Sequence, residues 1–448
     1  MKKLLLISML FSCFLAQAAP DYYGKVSTEA MLEFNGRIEI ATLRTMTVEQ
    51  LNSGSPRALE VRALIDQQLS HLIGHFQSTY YSESGGMPGV LGEAFTIKVK
   101  QVGTRAEGHQ LISYSFKSKV NFHSKIFKSS KNANVVLRMP LNPQTIYSFG
   151  MVGEVNRCTD AHYNSEVDFF YFWDPEMEGC PLSGNEDQVV HLEGKLSKLE
   201  NTVKTYPEYD RLYNSEPLTA SVFIGYIDEV QRGRVRTSDA GYQTYKELKD
   251  AFTQMGYELN SEKKRFMLKG GVEGKGNAYF AILSKTITNG LGFQQKVLIN
   301  LMLADSQVTS RDQTFETYYV EALENSNIVL YDGHSGLGGN LDLASLPTVE
   351  FNNKYQIFFL NGCSSYPYFN LTYFEAKPGS KKNLEILTSG LPTMTNTSFS
   401  NSMAFLTPFL EGKVISYQTL LNRLENSNQD EGTYLMGING DEDNRFLP

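Results

Sequence analysis

A histidine and a cysteine each come at the end of an apolar stretch and stand beside a glycine. His334 closes the segment NIVLYDGH, and Cys363 closes the segment YQIFFLNGC. A thiol is a weak nucleophile until it loses its proton, and a nearby imidazole can take that proton. Side chains of these two types, brought together, could attack a carbonyl carbon and form an acyl-enzyme. The residue types therefore predict a cysteine–histidine hydrolase site.

Backbone groups beside these residues could stabilise the oxyanion that such an attack produces. The neighbouring glycines allow a substrate carbonyl to approach the main chain closely. The candidate N–H donors are those of Ser335, Gly336, Gly362 and Cys363. This chemistry needs no metal or other cofactor, and we predict none.

The cysteine count sets Cys363 apart from the other cysteines. The chain has four, at positions 13, 158, 180 and 363. Cys158 and Cys180 bracket the aromatic segment DFFYFWDP, and we predict a disulfide between them. Because Cys13 lies in an N-terminal leader, Cys363 is left as an unpaired thiol. In an exported protein an odd thiol is a reason to expect chemistry.

The N-terminus has the features of a bacterial secretory signal. Two lysines precede an apolar run over residues 4–15, which is too short to span a bilayer. The small residues within 16–18 provide a cleavage site, so residues 1–18 are predicted to be removed. A lipoprotein anchored at Cys13 is the alternative, but Phe11 fits poorly in the box that precedes a lipidated cysteine. We expect a periplasmic or secreted protein without a membrane span.

The charge of the chain narrows the class of partner. The formal net charge is −8, and the sequence has no large basic block. Such an acidic chain argues against a nucleic-acid partner. The predicted partner is a protein or peptide substrate.

The first part of the chain has a β-rich pattern. In residues 19–183, one amphipathic helix (47–77) precedes segments of alternating apolar and polar residues (95–102 and 111–122). Alternation of this kind is typical of antiparallel strands with one solvated face. We predict an α+β N-terminal domain here, followed by a linker over 184–217 that contains a short charged helix.

From 218 to 448 the pattern changes. Near-continuous apolar strands alternate with amphipathic helices, which predicts an α/β domain with a largely parallel sheet covered by helices. Ligands bind such sheets at the carboxyl ends of the strands. His334 and Cys363 follow successive strands, so they would converge there if those strands are parallel neighbours.

These two strand ends resemble the signatures of the caspase, legumain and gingipain cysteine peptidases. That clan has one apolar strand ending in His-Gly and another ending in a small residue and Cys, and here the segments read IVLYDGHSG and IFFLNGCSS. The separation of 29 residues, 363 minus 334, is closest to the gingipain branch. The resemblance covers roughly 218–448. It implies a caspase-like domain and an endopeptidase with Cys363 as nucleophile and His334 as general base.

The sequence departs from the family pattern at one position and matches it at a second motif. Ser335 stands where the family has glycine, and Gly336 comes one place later. Gly440-Asp441 matches the Gly-Asp motif near the end of gingipain-like chains. The family implies strict specificity for one charged or amide side chain. Several aspartates could line such a pocket, and the sequence does not choose among them: Asp305, Asp312, Asp332 and Asp342.

Other interpretations fit the sequence less well. GHSGLGG looks like a serine-hydrolase elbow, but Leu337 stands where that turn needs glycine and no histidine follows Ser335. His71 and His75 have the spacing of a zinc pair, but Leu72 occupies the place of the catalytic glutamate and no third ligand is indicated. The alternative function is a non-catalytic periplasmic or surface interaction protein on a caspase-like scaffold.

Overall fold

The structure is a computed structural model. It describes residues 27–41, 46–82, 89–106, 108–199, 204–214, 216–228, 236–264, 278–428 and 434–448. The predicted signal peptide, residues 1–18, lies outside these ranges, as does Cys13. No helix within them is long and apolar enough to cross a bilayer.

The N-terminal part of the chain builds an antiparallel five-stranded sheet in the order β2-β3-β1-β7-β4, beside a separate β5-β6 hairpin. Its strands are β1 (Ser27–Ala41), β2 (Gly89–Ala106), β3 (His109–His123), β4 (Asn132–Pro140), β5 (Met151–Val152), β6 (Val155–Asn156) and β7 (Val189–Lys198). Its helices are α1 (Val48–Leu51), α2 (Pro56–His75), α3 (Thr79–Ser82) and α4 (Ile146–Phe149). We call this unit the first domain.

Helix α2 covers one face of this sheet. The Ser55 side chain caps its first turn and Pro56 occupies its first helical position, as is common at helix starts. Apolar residues at three- and four-residue steps, among them Val61, Ile65 and Leu69, are buried against the sheet. The predicted amphipathic helix and the two predicted alternating strands are therefore present.

The short charged helix predicted after residue 184 is wrong. Val189–Lys198 instead forms strand β7, which pairs with β1 on one side and with β4 on the other. Its buried and exposed residues alternate, because apolar side chains face α2 while the charged ones face solvent. Further along, Tyr209 and Leu212 of the predicted linker are buried in the core of the second domain. Much of the segment 184–217 thus belongs to the two folded units.

The rest of the chain forms the second domain, around an eight-stranded sheet in the order β15-β14-β13-β12-β8-β11-β10-β9. Its strands are β8 (Leu218–Gly225), β9 (Glu258–Lys264), β10 (Tyr279–Thr288), β11 (Gln294–Ala304), β12 (Ile328–Asp332), β13 (Gln356–Asn361), β14 (Leu384–Thr388) and β15 (Gly437–Asn439). Its helices are α5 (Tyr209–Leu212), α6 (Ala240–Gln254), α7 (Gln313–Asn325), α8 (Asn370–Ala376), α9 (Ser398–Leu410) and α10 (Tyr417–Asn426).

The centre of this sheet is parallel and its edges are antiparallel. Strands β14, β13, β12, β8 and β11 run the same way, whereas β9, β10 and β15 pair antiparallel at the margins. Successive side chains of β12 and β13 alternate between two cores, one shared with α6, α9 and α10 and the other with α7 and α8. Burial on both faces explains why these strands are apolar throughout. The predicted mixed α/β class with a mostly parallel sheet is confirmed.

Strand β3 of the first domain contacts the second domain near both ends of β15. Asn121 of β3 donates from Nδ2 to the carbonyl of Leu435 at 3.0 Å. Lys119, also on β3, lies 3.7 Å from the carboxylate of Glu442 and forms a shorter ion pair with Glu29. Leu435 precedes β15 and lies at the carboxyl edge of the central strands, whereas Glu442 follows β15 at the opposite edge.

Candidate active site

The register of β12 and β13 places the segments that carry His334 and Cys363 at the same edge of the sheet. These strands are parallel neighbours, and Asp332 lies opposite Asn361. His334 and Cys363 each follow that pair by two residues. The loops that carry them touch, because a Cβ added to Gly362 would lie 3.2 Å from Ser335 Cβ. Both candidate residues are half-buried at the carboxyl edge of the sheet.

The topology makes this edge a natural place for a ligand. Strand β8 is flanked by β11 on one side and by β12 on the other, so the order of the strands reverses around it. Loops that leave neighbouring strands in opposite directions open a crevice between them. The segments after β8, β12 and β13 all contribute to the candidate site.

The imidazole of His334 is held in one tautomer by a backbone carbonyl. Its Nε2 lies 3.0 Å from the carbonyl oxygen of Ile227, just after β8. Because a carbonyl can only accept a hydrogen bond, Nε2 carries the hydrogen and Nδ1 keeps a lone pair. The main-chain oxygen of His334 accepts hydrogen bonds from the Tyr331 hydroxyl at 2.7 Å and from Asn340 Nδ2 at 2.8 Å. The ring can therefore serve as a base through Nδ1.

A buried carboxylate fixes the segment that supplies this carbonyl. Asp239 caps helix α6 by accepting from the Tyr242 N–H at 3.0 Å through Oδ1. Its other oxygen, Oδ2, accepts from the N–H groups of Ile227 at 3.0 Å and Asp228 at 2.7 Å. One side chain thus joins the helix start to the turn that orients His334. Sequence analysis did not identify Asp239, although an aspartate before a helix can be recognised as a cap.

The thiol of Cys363 lies at the start of a tight turn. Within the described chain Cys363 is the free cysteine, and Cys158 is disulfide-bonded to Cys180 as predicted. The Sγ of Cys363 is 3.7 Å from the carbonyl oxygen of Thr393 and 3.9 Å from the Thr393 hydroxyl. The next residue, Ser364, has φ +47°, a left-handed conformation that is costly for a residue with a side chain. The Ser364 N–H donates to the Leu391 carbonyl at 3.2 Å, which holds the turn.

The candidate oxyanion donors differ in availability. The N–H of Gly362 already donates to the Leu360 carbonyl at 3.0 Å, so it is the least suitable of them. In the part of the chain that the structure describes, the N–H groups of Ser335, Gly336 and Cys363 donate to no protein acceptor. These three are therefore better placed to bind a substrate oxyanion.

Asp332 does not line an open pocket, because its side chain is buried. Its carboxylate accepts a hydrogen bond from Asn361 Nδ2 at 2.6 Å. Burial raises the pKa of Asp332 to about 6, against hydrogen bonds from Ser398 and Asn361 that lower it. This carboxyl joins the ends of β12 and β13 to the start of α9.

The other predicted aspartates have local structural contacts. Asp312 accepts from the Thr314 N–H at the start of α7, and Asp342 accepts from the Ala344 N–H in a short turn of helix. Asp305 accepts from the Gln307 N–H in the turn after β11. Gly440 and Asp441 follow β15, whose antiparallel pairing with β14 takes them to the opposite edge of the sheet.

The two histidines with the spacing of a zinc pair, His71 and His75, are instead buried among aromatic side chains. His71 packs edge-on against Trp173, with ring centroids 5.3 Å apart, and its Nδ1 bonds the Gln67 carbonyl. His75 packs against Tyr81 at 5.1 Å. Burial lowers the pKa of both histidines to about 4, which keeps them neutral. Among the described residues no group of three or more metal-ligating side chains occurs.

Two tyrosines of the first domain have pKa values that burial raises and that Cys363 raises further. Tyr171 is buried, and its pKa is raised well above the usual value by burial and also by Tyr368 and Cys363, while the Ser364 hydroxyl lowers it. Burial raises the pKa of Tyr163, and Cys363 raises it further. Both tyrosines lie in the loop that the disulfide closes. The sequence marks that loop as aromatic but gives no signal of an electrostatic effect from Cys363, almost 200 residues later.

No protein-family model matches this chain, and a search of curated proteins found no similar sequence.

Proposed function

We propose that this chain is an exported cysteine endopeptidase with a caspase-like second domain, closest to the gingipain branch. The observation that supports this most is the position of His334 and Cys363 at one sheet edge, with the Nε2 of the imidazole held by Ile227. This arrangement leaves a lone pair on the ring, at the sheet edge that also carries the partly exposed thiol. The disulfide between Cys158 and Cys180 is compatible with a periplasmic or secreted location.

The proposed reaction follows from these groups. Nδ1 of His334 takes the proton of the thiol, and Sγ of Cys363 attacks the carbonyl carbon of a peptide bond. The N–H groups of Cys363 and of Ser335 or Gly336 bind the oxyanion. The imidazolium then gives its proton to the leaving amine, and a thioester remains on Cys363. Water hydrolyses that thioester with the same imidazole as base.

The direct test compares variants of the full chain on a mixture of peptides whose products are identified by mass spectrometry. We expect Cys363→Ala and His334→Ala each to lower kcat by a factor of about 10³ or more. His109→Ala is the matched control, because His109 is a partly exposed histidine on β3 that pairs with Glu39 and is remote from Cys363 in the fold. It should cleave like the parent protein.

The competing hypothesis is a non-catalytic interaction protein on the same scaffold. It is distinguished by the pH dependence of Cys363 alkylation with iodoacetamide, since a thiol paired with an imidazole reacts well below the pH at which a free thiol does. If Cys363 reacts like an ordinary thiol and Cys363→Ala cleaves peptides as well as the parent, the peptidase proposal is wrong.

A further inference from the structure

The thiol of Cys363 lies beside a hydroxyl that the proposed reaction does not use. Oγ1 of Thr393 is 3.9 Å from Sγ, and the Thr393 carbonyl oxygen is 3.7 Å from it. Among the residues that the structure describes, Oγ1 of Thr393 has no other hydrogen-bond partner, so its hydrogen can rotate toward the sulfur. One residue therefore presents both an acceptor and a donor to the reacting atom.

These two groups of Thr393 favour opposite charge states of the sulfur. A carbonyl oxygen only accepts hydrogen bonds, so it binds the S–H of the neutral thiol and offers nothing to the anion. A hydroxyl can donate, and a hydrogen bond to a charged acceptor is about twice as strong as one between neutral groups. When the proton of Cys363 moves to Nδ1 of His334, the Thr393 hydroxyl is thus the partner whose hydrogen bond gains strength.

Residues 389–394, which we call the loop after β14, are bonded directly to the turn that carries the thiol. The Ser364 N–H donates to the Leu391 carbonyl at 3.2 Å, and the Tyr366 N–H donates to the Ser389 carbonyl at 2.9 Å. Two backbone hydrogen bonds between these segments fix the loop relative to the sulfur. A catalytic contact needs preorganisation of this kind.

A buried tyrosine holds the same loop on both sides of Thr393. The carbonyl oxygen of Tyr434 accepts from the N–H groups of Gly390 at 2.9 Å and Leu391 at 3.0 Å. The Tyr434 hydroxyl accepts from the Met394 N–H at 3.1 Å, one residue after Thr393. These bonds hold the backbone of Thr393 in place from both directions.

We propose that Thr393 is a third catalytic residue, whose hydroxyl donates to the Cys363 thiolate, and that Tyr434 positions it. This inference rests on the proposed peptidase function and deepens it. The proton of the thiol still goes to His334, and Thr393 keeps its own hydrogen. The effect of the hydroxyl is to extend the thiolate to lower pH. A stabilised thiolate is also a weaker nucleophile, but below the midpoint of its titration the gain in thiolate outweighs this loss, because nucleophilicity changes with only about half the sensitivity.

The test measures the rate of Cys363 alkylation by iodoacetamide across the pH range in the full chain. Thr393→Val keeps the backbone carbonyl and the size of the side chain but removes the hydroxyl. We expect its pH midpoint to rise by about one unit, so that alkylation is about threefold slower than in the parent below both midpoints and about threefold faster above them. The kcat/KM for peptide cleavage should show the same reversal. A loosened fold would not reverse the sign of the effect with pH.

Three further variants serve as controls. Thr393→Ser keeps the hydroxyl and should retain the midpoint of the parent, with kcat/KM within about twofold. Thr395→Val is the matched control, because Thr395 is an exposed threonine two residues further along, and it should behave like the parent. Tyr434→Phe removes the acceptor of the Met394 N–H and should shift the midpoint in the same direction as Thr393→Val, by a smaller amount.

Activity and thiol reactivity separate this inference from the proposed function. If the parent cleaves peptides no better than Cys363→Ala, the peptidase function fails, and the catalytic role of Thr393 fails with it. If the parent cleaves peptides but Thr393→Val keeps its midpoint and kcat/KM, only the role of Thr393 is wrong. Equal shifts in Thr393→Val and Thr393→Ser would overturn that role too, since they would trace the effect to packing. A lower midpoint in Thr393→Val would mean that Thr393 keeps the thiol protonated, which also contradicts the proposal.

Discussion

At the scale of single residues, the tautomer of the His334 ring depends on a backbone carbonyl and on the carboxylate that holds its segment. The Ile227 carbonyl fixes the hydrogen on Nε2, and Asp239 fixes Ile227. A proton acceptor that is misplaced by about 1 Å can lose most of its value in catalysis. Asp239 is therefore expected to be a positioning residue, which acts through the orientation of His334.

Asp239→Asn provides a test of this role. The amide keeps one oxygen, so it can still cap α6 but cannot also accept the N–H groups of Ile227 and Asp228. We expect kcat to fall about 10- to 100-fold with KM nearly unchanged. The alkylation of Cys363 should also shift to higher pH, because the imidazole is less well placed to hold the proton.

Asp312→Asn is the matched control for this prediction. Asp312 is also a buried aspartate that caps a helix, α7, but it makes no hydrogen bond to the Ile227 turn or to His334. Its substitution should leave kcat and the alkylation profile unchanged. Equal losses of activity in the two variants would mean that Asp239 matters only for folding.

At the scale of elements, a strand can be recognised in the sequence more easily when both of its faces are buried. Strands β12 and β13 were predictable because both of their faces are covered, which leaves a continuous apolar run. Their parallel pairing then brings together two residues 29 positions apart. Strand β7 was mistaken for a helix because lysine and glutamate on its solvated face outweigh the alternation of its apolar residues.

The remaining parts of the site could not be predicted because they depend on contacts distant in sequence. Asp239 is readable as a helix cap, but its bond to the turn after β8 exists only in the folded domain. The aromatic residues between Cys158 and Cys180 form a visible cluster in the sequence, yet the effect of Cys363 on the pKa of Tyr163 arises only in the folded protein. Local patterns carry no information about such packing.

The segment between Cys158 and Cys180 packs closely against α2 at one glycine, Gly74. A Cβ at Gly74 would overlap the backbone at Trp173 and would lie 2.6 Å from the Phe170 carbonyl oxygen. We expect Gly74→Ala to lower the free energy of unfolding by about 1–3 kcal/mol, because backbone atoms must move apart. Urea unfolding monitored by the fluorescence of Trp173 measures this loss.

The control substitution lies at the other end of the same helix. A Cβ at Gly54, just before α2, would meet no atom within 4 Å. Gly54→Ala should therefore change the free energy of unfolding by less than about 0.5 kcal/mol. A comparable loss in both variants would contradict the close approach at Gly74.

At the scale of the whole molecule, the first domain should be sensitive to acid. The pKa of His71 and of His75 is lowered to about 4 by burial, from 6.5 for a free imidazole. Between these values the unfolded chain binds protons that the folded domain does not, so stability falls as the pH falls through this window. At pH 5 each histidine should cost about 2 kcal/mol relative to pH 8.

The single tryptophan makes this measurable for the first domain alone, because Trp173 packs on His71. We expect the unfolding midpoint reported by its fluorescence to drop between pH 8 and pH 5. His75→Gln should reduce that drop by roughly half. His162→Gln should leave it unchanged, because the His162 side chain is 90% exposed. A drop of the same size in all three proteins would exclude the buried histidines as its cause.

The parts of the candidate site are widely separated along the chain. Ile227 and Asp239 come near the middle of the chain, His334 follows about 100 residues later, and Cys363 lies in the last quarter. A ribosome completes the first domain long before it reaches the nucleophile, and the disulfide needs an oxidising compartment. A nascent chain that ends just before residue 363 would therefore carry the whole first domain and His334 but lack the candidate nucleophile.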